Sequence, residues 1–205
     1  MHRNRITLKI YIEGGGEGKG LHTRFQEAWT KFFQSAGLIG RKPRIVPGKG
    51  RDKTFDLFLS AIQNRSADEM PLLLLDSEDE IDSGKTVWQH LKDRDGFKKP
   101  RNATDEHAYL MAQVMETWFL ADLETLGTFF GSKFKAYKIP GWKNLESIPK
   151  QIIFDVLDEA TVDCLEKKYA KGKVSYEILG KINPHKVKER CPNAKRLLDF
   201  LAKKR

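Results

Sequence analysis

The chain has 205 residues, a formal net charge of +9 and two cysteines, and this length suits one substantial core with a small appendage. Two cysteines in charged, helix-like segments exclude a disulfide scaffold and a cysteine-type zinc site, and the apolar run Met70–Leu75 is too short to span a membrane. Because the amino terminus lacks the apolar stretch of a signal peptide, we expect a cytoplasmic protein. The positive net charge is equally compatible with a nucleic-acid partner and with no such partner.

The first predicted element is a strand over Ile6–Ile12, where apolar and polar residues alternate as in a strand with one face on a core. Glu13 follows at the carboxyl end of this strand. Five glycines between positions 14 and 20 then allow a tight turn and the close approach of a ligand, before a helix with apolar residues at helical spacing. We interpret Glu17 as an acid at the helix start without a chemical role.

Two known phosphate-binding patterns do not fit this glycine-rich turn. A P-loop has a glycine five residues before its Gly-Lys pair and Ser or Thr after it, whereas Gly18-Lys19 has Glu13 and Gly20 at these positions. The dinucleotide pattern Gly-x-Gly-x-x-Gly also fails, because Lys19 or Leu21 stands at the third glycine. The Glu13 carboxylate is therefore the distinctive feature, and we expect the glycines to clear space around it.

A short second strand over Pro43–Val46 precedes a basic loop and a helix with an apolar stripe. The amides at the start of that helix suit a phosphate, so we interpret Arg51 as a nucleic-acid contact, although a solvated basic loop is the common alternative. The next strand is predicted over Met70–Leu75, because an uninterrupted apolar run is typical of a parallel strand buried on both faces.

Acidic residues follow two of these strands at their carboxyl ends, where parallel sheets place ligand chemistry. Asp76 and Glu78 lie on one side of an extended segment and meet Glu13 if the two strands are neighbours. Carboxylates this close repel one another, and a divalent cation with oxygen ligands, Mg²⁺ or Mn²⁺, relieves the repulsion. An acidic turn that caps the next helix is the alternative, and we prefer it for the acids within Asp79–Asp82.

The chain resembles the Toprim domain of topoisomerases, primases and nucleases of the overcoming-lysogenization-defect (OLD) type, in which a strand ending in Glu precedes one ending in Asp-x-Asp. More narrowly, it resembles a bacterial Toprim-like family with the domain-of-unknown-function label DUF4276, in the segments YIEGGGEGKG, LLLLDSED and MAQVMETWFLADLETLGTFFG. This resemblance spans most of the chain and implies a Rossmannoid, mostly parallel α/β sheet flanked by helices. It also implies a magnesium-dependent nuclease with an ABC-type ATPase as partner in phage defence. Glu78 stands where most Toprim domains have a second aspartate. This difference preserves the negative charge, but the side chain that carries the carboxylate is longer by one methylene group.

The segment Ala108–Val114 fits neither period cleanly, and the resemblance favours a strand here, followed by a helix over Met115–Leu120. Glu116 then lies at another strand end beside large apolar residues, so it must be paired, coordinated or turned to water. We interpret Glu116 as a fourth metal ligand. Asp122 is expected to cap or precede a helix over Leu123–Phe130.

Beyond Pro149 we expect only helices, and the densest basic stretch of the chain lies among them. It is the best candidate for a surface that faces a polyanion, and Lys171, Lys173 or Lys181 would supply a cation to a transferring phosphate. We therefore predict a Toprim-like α/β core over 1–131 and a basic, mainly helical carboxyl-terminal extension over 132–205 packed on that core.

These observations together predict a metal-dependent nuclease that hydrolyses phosphodiester bonds of DNA or RNA such as tRNA. Glu13, Asp76 and Glu78 are the predicted catalytic residues, and with Glu116 they would hold one or two Mg²⁺ or Mn²⁺ ions. Glu13 acting as general base is an open alternative. A non-catalytic Toprim-like adaptor that binds nucleic acid or a partner protein is the rival function, and hydrolysis of small phosphate esters is a third.

Overall fold

The computed structural model describes residues 6–16, 18–164 and 167–204 of the chain, so the prediction for Glu17 lies outside the described residues. In chain order, the strands and longer helices are β1 (Thr7–Ile12), α1 (Lys19–Ser35), β2 (Arg44–Pro47), α2 (Arg51–Asn64), β3 (Glu69–Asp76), α3 (Val87–Asp95), β4 (Ala108–Met111), α4 (Leu123–Phe130), α5 (Lys150–Thr161), α6 (Lys173–Leu179), α7 (Pro184–Arg190) and α8 (Pro192–Lys203). Short 3-10 helices cover Asp105–His107, Met115–Ala121 and Ala136–Lys138. No helix within this described part is long and apolar enough to cross a membrane.

The described strands form a four-stranded sheet in the order β2-β1-β3-β4, and each neighbouring pair is parallel. This topology confirms the predicted α/β class with a parallel sheet flanked by helices. After β1 the chain adds β2 on one side of that strand, and it then crosses back to add β3 on the other side. The carboxyl ends of β1 and β3 therefore flank a topological switch point, where such sheets form a ligand crevice. Ile12 lies opposite Leu74 in the register, so the residues after both strands emerge side by side.

Helices cover both faces of this sheet, and the side chains buried on the two faces form separate clusters. Ile10 and Ile12 of β1 pack in one cluster with Trp29 of α1, whereas Tyr11 belongs to the other cluster with Phe58 of α2. The alternation along β1 predicted a single buried face. Tyr11 is nevertheless only 8% exposed, because the apolar stripe of α2 covers the second face of the strand.

The described residues after Pro149 form the helices α5 to α8 and connecting loops, with no strand among them, as predicted. The helix α6 lies against α1, and α8 lies against β4. Leu157 of α5 and Leu198 of α8 belong to the same buried cluster as Trp118. This cluster therefore runs across the predicted boundary at residue 131, and the division into two regions stays a prediction.

The acidic turn Asp79–Asp82 does not cap α3, so this part of the sequence prediction was wrong. The Thr86 hydroxyl accepts a hydrogen bond from the Gln89 amide at 3.2 Å, and the Gln89 side chain accepts one from the Thr86 amide at 2.7 Å. This capping box already provides acceptors for the backbone amides of Thr86 and Gln89, to which an acidic capping residue would otherwise have bound. Asp79 instead pairs with Arg94 at 3.0 Å on the surface.

Gly15 is predicted to be the most restrictive position of the glycine-rich turn. Its φ is +95°, and an added Cβ would lie 2.7 Å from the Cβ of Pro47. We expect Gly15→Ala to lower the free energy of unfolding by about 1–3 kcal/mol, measured by urea denaturation, because a strained backbone and a steric overlap combine. Gly18→Ala is the matched control, with a φ of −80° and no described atom within 4 Å of the added Cβ. Equal losses in both variants would contradict this explanation.

Candidate active site

A cavity of about 230 Å³ opens at the switch point, at the carboxyl ends of β1 and β3. Its walls include the four predicted acidic ligands, Glu13, Asp76, Glu78 and Glu116. Lys171, from the loop before α6, lines the same cavity. The structure thus brings together acids from three separate segments of the chain with one of the three candidate lysines.

The pairing of β1 with β3 positions the first two acids. The Glu13 amide donates to the Leu74 carbonyl oxygen at 3.0 Å, which extends the β1 ladder by one residue. The Glu13 carboxylate in turn accepts a hydrogen bond from the Asp76 amide at 3.3 Å. The Asp76 carboxylate accepts one from the Met115 amide at 2.9 Å, so backbone donors orient both acids.

Glu78 is held in place by the segment that follows β4. The Ser77 amide donates to the Met111 carbonyl oxygen at 2.8 Å, and the Glu78 amide donates to the Gln113 carbonyl oxygen at 2.8 Å. Glu78 has a φ of +65°, a left-handed conformation that is uncommon for a residue with a side chain. These backbone bonds maintain that conformation and direct the Glu78 side chain to the cavity.

Two basic side chains are paired with acids of this cavity. Arg51 donates to the Glu13 carboxylate at 3.1 Å and to the Asp76 carbonyl oxygen at 2.7 Å, and it pairs with Asp95 at 2.6 Å. The pKa of Arg51 is raised: burial acts to lower it, but the Asp95 hydrogen bond and the Glu13 charge outweigh burial. Lys150, the first residue of α5, pairs with Glu78. The donors of Arg51, a predicted nucleic-acid contact, are thus engaged within the protein.

Glu116 is 2% exposed and lies in a 3-10 helix over Met115–Ala121, where a helix over Met115–Leu120 was predicted. The prediction that Glu116 lies at a strand end was wrong. The strand β4 ends five residues earlier because the chain turns into this 3-10 helix over Met115–Ala121. The Glu116 carboxylate accepts hydrogen bonds from the Ser175 hydroxyl at 3.0 Å and the Tyr169 hydroxyl at 3.2 Å. Both donors bind the Oε1 oxygen of Glu116 and fix the orientation of this buried acid at the cavity wall.

The acids of the cavity perturb one another's ionisation. The pKa of Asp76 is raised well above its ordinary value, first by burial and then by the charges of Glu116, Glu13 and Glu78, while Lys171 acts in the opposite direction. The pKa of Glu13 is also raised, mainly by burial, although Arg51 and the Asp76 amide counteract that effect. A cation in the cavity would relieve this repulsion.

The four carboxylates of the cavity are hard oxygen donors of the kind that Mg²⁺ and Mn²⁺ prefer. The cavity is also lined by Met111 and Met115, whose thioether sulfurs are soft donors that these ions do not favour. Among the residues that the structure describes, no group of three His, Cys, Asp or Glu side chains is arranged to hold a metal ion as placed. Glu13 and Glu78 are instead turned towards Arg51 and Lys150. Each of these ion pairs involves only the Oε2 oxygen of the carboxylate, so a metal ion would bind through the other oxygen or compete with the basic side chain.

The other two candidate lysines lie elsewhere. Lys173 is exposed at the first residue of α6, outside the lining of the acidic cavity. Lys181 is exposed beyond the end of α6 and lines two other cavities, one with Arg24 and one with Lys186. Of the lysines considered from sequence, the geometry places Lys171 at the acids.

Sequence reasoning missed several residues that hold the cavity together. Lys150 pairs with Glu78, Tyr169 and Ser175 bind Glu116, and the Tyr176 hydroxyl accepts a hydrogen bond from the Gly15 amide at 3.0 Å. Pro149 indicates that a helix starts near Lys150. No local sequence pattern predicts that Lys150 contacts Glu78. The tyrosines and the serine lie in a basic stretch in which the sequence singles out the charged residues instead.

The raised pKa values of Asp76 and Glu13 predict that stability falls with rising pH in the metal-free protein. In the unfolded chain these two groups lose their protons near their ordinary pKa values of 3.8 and 4.5, whereas the folded protein retains the protons to higher pH. The free energy of unfolding therefore decreases as pH rises from the ordinary pKa of each group to its raised pKa in the folded state. Each unit by which a pKa is raised corresponds to about 1.4 kcal/mol.

Denaturation in EDTA between about pH 4 and pH 8 measures this slope. Asp76→Asn is expected to reduce the slope and to be more stable than the wild-type protein at neutral pH, because the variant has no charge at this position. An unchanged slope in Asp76→Asn would contradict the assignment of the perturbed group.

A family model described as a domain of unknown function (DUF4276) matches residues 12–202 of the chain. The matched range includes the four acids of the cavity and Lys171, and it confirms the resemblance to this family that the three sequence segments indicated. No curated protein and no solved structure matches the chain. The relationship to the Toprim domains of OLD nucleases stays a prediction.

Proposed function

The chain belongs to the DUF4276 family, and we propose that it is a metal-dependent nuclease that hydrolyses a phosphodiester bond of DNA or RNA. The observation that carries this proposal is the convergence of four acids on one cavity at the switch point of a parallel sheet. Burial, and after it the charges of the other three acids, raise the pKa of Asp76, and a divalent cation relieves the repulsion among these charges.

Each residue of the cavity has a role in this proposal. Glu13, Asp76, Glu78 and Glu116 would hold one or two Mg²⁺ ions, which when bound supply a Lewis acid to the phosphate and an activated water. Lys171 would neutralise charge on a phosphate oxygen at the cavity mouth. A carboxylate with a raised pKa also accepts a proton more readily near neutral pH, which suits Glu13 as a general base.

The remaining residues of the site would position these groups. Tyr169 and Ser175 hold Glu116 at the wall through their hydroxyl groups. The left-handed backbone at Gly14, with a φ of +114°, brings the turn past the cavity without a side chain that would occupy it. A phosphate can therefore approach the end of β1 closely.

The proposed biological setting rests on the Toprim resemblance and on charge. By analogy with OLD-type systems, an ABC-type ATPase would be the partner, and the protein would be an effector of bacterial defence in the cytoplasm. The net charge of +9 is compatible with a polyanionic substrate. These assignments remain part of the proposal.

A non-catalytic adaptor is the second candidate, and the ion pairs of the cavity favour it. Arg51 and Lys150 already neutralise Glu13 and Glu78, so these acids have a structural partner without any metal. In this alternative the protein binds nucleic acid or a partner protein through the basic stretch beyond Pro149 and does not cleave.

The test is incubation of the purified protein with single-stranded DNA, duplex DNA and tRNA in Mg²⁺, Mn²⁺ or EDTA. We expect cleavage of at least one polymer with metal and none in EDTA, and we expect calorimetry to detect Mn²⁺ binding. Cleavage that persists in EDTA would contradict the metal site. Nucleic-acid binding without Mn²⁺ binding or cleavage, also in the presence of the partner ATPase, would favour the adaptor.

A further inference from the structure

A second cavity, of about 500 Å³, lies next to the acidic cavity. Lys171 lines both cavities, so they share a wall. Phe154 of α5 and Tyr169 contribute two partly exposed aromatic rings to the second cavity. Its volume lies within the range of about 300–1,000 Å³ that is typical of pockets for small organic ligands.

The two aromatic residues connect this cavity to the acids. The Tyr169 hydroxyl donates to Glu116 at 3.2 Å, so the side chain reaches from the second cavity to the acidic one. The Lys171 ammonium lies 5.1 Å from the centre of the Phe154 ring, in a cation–π contact. A flat ligand that stacks on Phe154 would replace this contact and free the ammonium group for a neighbouring phosphate.

The charge at the rim of the second cavity determines which part of a nucleotide fits. Asp155, Asp158 and Glu159 line it. Asp158 pairs with Lys168 at 2.8 Å and Glu159 pairs with Lys138 at 3.3 Å, so Asp155, which accepts a hydrogen bond from the Gln151 side chain at 2.8 Å, is the rim carboxylate that repels a phosphate. Carboxylate oxygens at the rim also accept hydrogen bonds from the amino groups of a base. The phosphate is therefore directed to Lys171 and the acidic cavity, where the proposed metal would bind, and the base is directed to the aromatic rings.

We propose that this cavity, which we call the base pocket (Phe154, Tyr169, Ala170 and Lys171), receives an unpaired nucleobase adjacent to the phosphate at the acidic cavity. This inference rests on the proposed nuclease function and specifies its substrate as single-stranded nucleic acid. In a duplex the faces of each base are stacked on its neighbours, so the base enters the pocket only after unstacking and unpairing.

The experiment measures binding separately from cleavage, with Ca²⁺ in place of Mg²⁺. Fluorescence anisotropy compares a labelled single-stranded oligonucleotide with a hairpin duplex of the same sequence. We expect the wild-type protein to bind the single strand more tightly than the duplex. Phe154→Leu keeps the apolar volume but removes the aromatic face, and it should weaken single-strand binding by about 5- to 150-fold, with duplex binding unchanged.

Two control variants accompany this measurement. Phe154→Tyr keeps an aromatic face and should retain the wild-type affinity. Ile152→Ala alters a side chain on the same helix that is 41% exposed and does not line the pocket, and it should also bind as the wild-type protein does. Thermal unfolding of each variant establishes that it is folded.

A third comparison uses the wild-type protein alone, so that it does not depend on the folding of any variant. Oligonucleotides with a single abasic position, moved along the strand, should include one position at which affinity falls by the same factor as in Phe154→Leu. A preference for the duplex, or uniform affinity across the abasic series, would overturn the base pocket.

The failures of the two proposals are distinguishable. Metal-dependent cleavage with single-strand affinity independent of Phe154 would overturn the base pocket and leave the nuclease intact. Single-strand affinity that depends on Phe154, in a protein that cleaves nothing, would support the base pocket and contradict the nuclease.

Discussion

Asp76→Asn is expected to lower the rate of metal-dependent cleavage by about 100-fold or more while it increases stability at neutral pH. The loss follows because several kcal/mol of charge stabilisation by a metal depend on its ligands. The amide has almost the same shape as the carboxylate and still offers the Met115 amide an acceptor. The gain in stability follows because the variant no longer carries a charge that burial and three neighbouring acids disfavour. Opposite effects on activity and stability characterise a functional charge.

Asp122→Asn is the matched control for this prediction. Asp122 is also a buried aspartate, 1% exposed, but it pairs with Lys186 at 2.7 Å and accepts hydrogen bonds from Thr125 and the Asn183 amide. Burial acts to raise its pKa, yet these donors lower the pKa below its ordinary value. Asp122→Asn should therefore retain cleavage and lose about 1–3 kcal/mol of stability. An Asp76→Asn variant with wild-type cleavage, or one destabilised like Asp122→Asn, would refute the proposed role.

The main positions of the acidic cavity could be predicted because they follow from local patterns. Alternation before Glu13 and an apolar run before Asp76 place both acids at strand ends, and a parallel α/β sheet brings its strand ends to one edge. The one condition was that the two strands be neighbours, and the pairing of Ile12 with Leu74 confirms it. The regular geometry of a parallel sheet was therefore sufficient to predict that Glu13 and Asp76 lie close together.

The partners of those acids could not be predicted, because they depend on how helices pack over long sequence separations. Lys150 meets Glu78 only because α5 begins beside the segment after β4, where the Lys150 amide donates to the Gln113 side chain at 3.2 Å. Arg51 had a plausible local reading as a phosphate contact. The guanidinium group of Arg51 pairs with Asp95, the last residue of α3, and the phosphate contact stays a prediction. Neither contact leaves a spacing or composition signal in the sequence.

Lys171→Ala is the second variant with a large expected effect, a fall in kcat of about 100-fold, similar to the loss of one oxyanion donor. Lys171 lines the cavity of the four acids, and its charge acts to lower the pKa of Asp76, so it acts on the same space that a phosphate would enter. Removal of one phosphate contact should also reduce the slope of log affinity against log salt concentration by about one.

Lys173→Ala is the control that distinguishes an effect of the location of the Lys171 ammonium group from an effect of its positive charge alone. Lys173 lies two residues further along and is exposed at the start of α6, so both substitutions remove one positive charge from the same short segment. Long-range attraction of a polyanion depends on the total charge and is screened within about 8–10 Å at physiological salt, so it changes equally in both variants. A kcat that falls in Lys171→Ala and stays within about twofold in Lys173→Ala would place the required ammonium group at the acidic cavity. Equal falls would mean that the basic stretch acts only through its overall charge, because the two variants have the same net charge and differ only in where the ammonium group was.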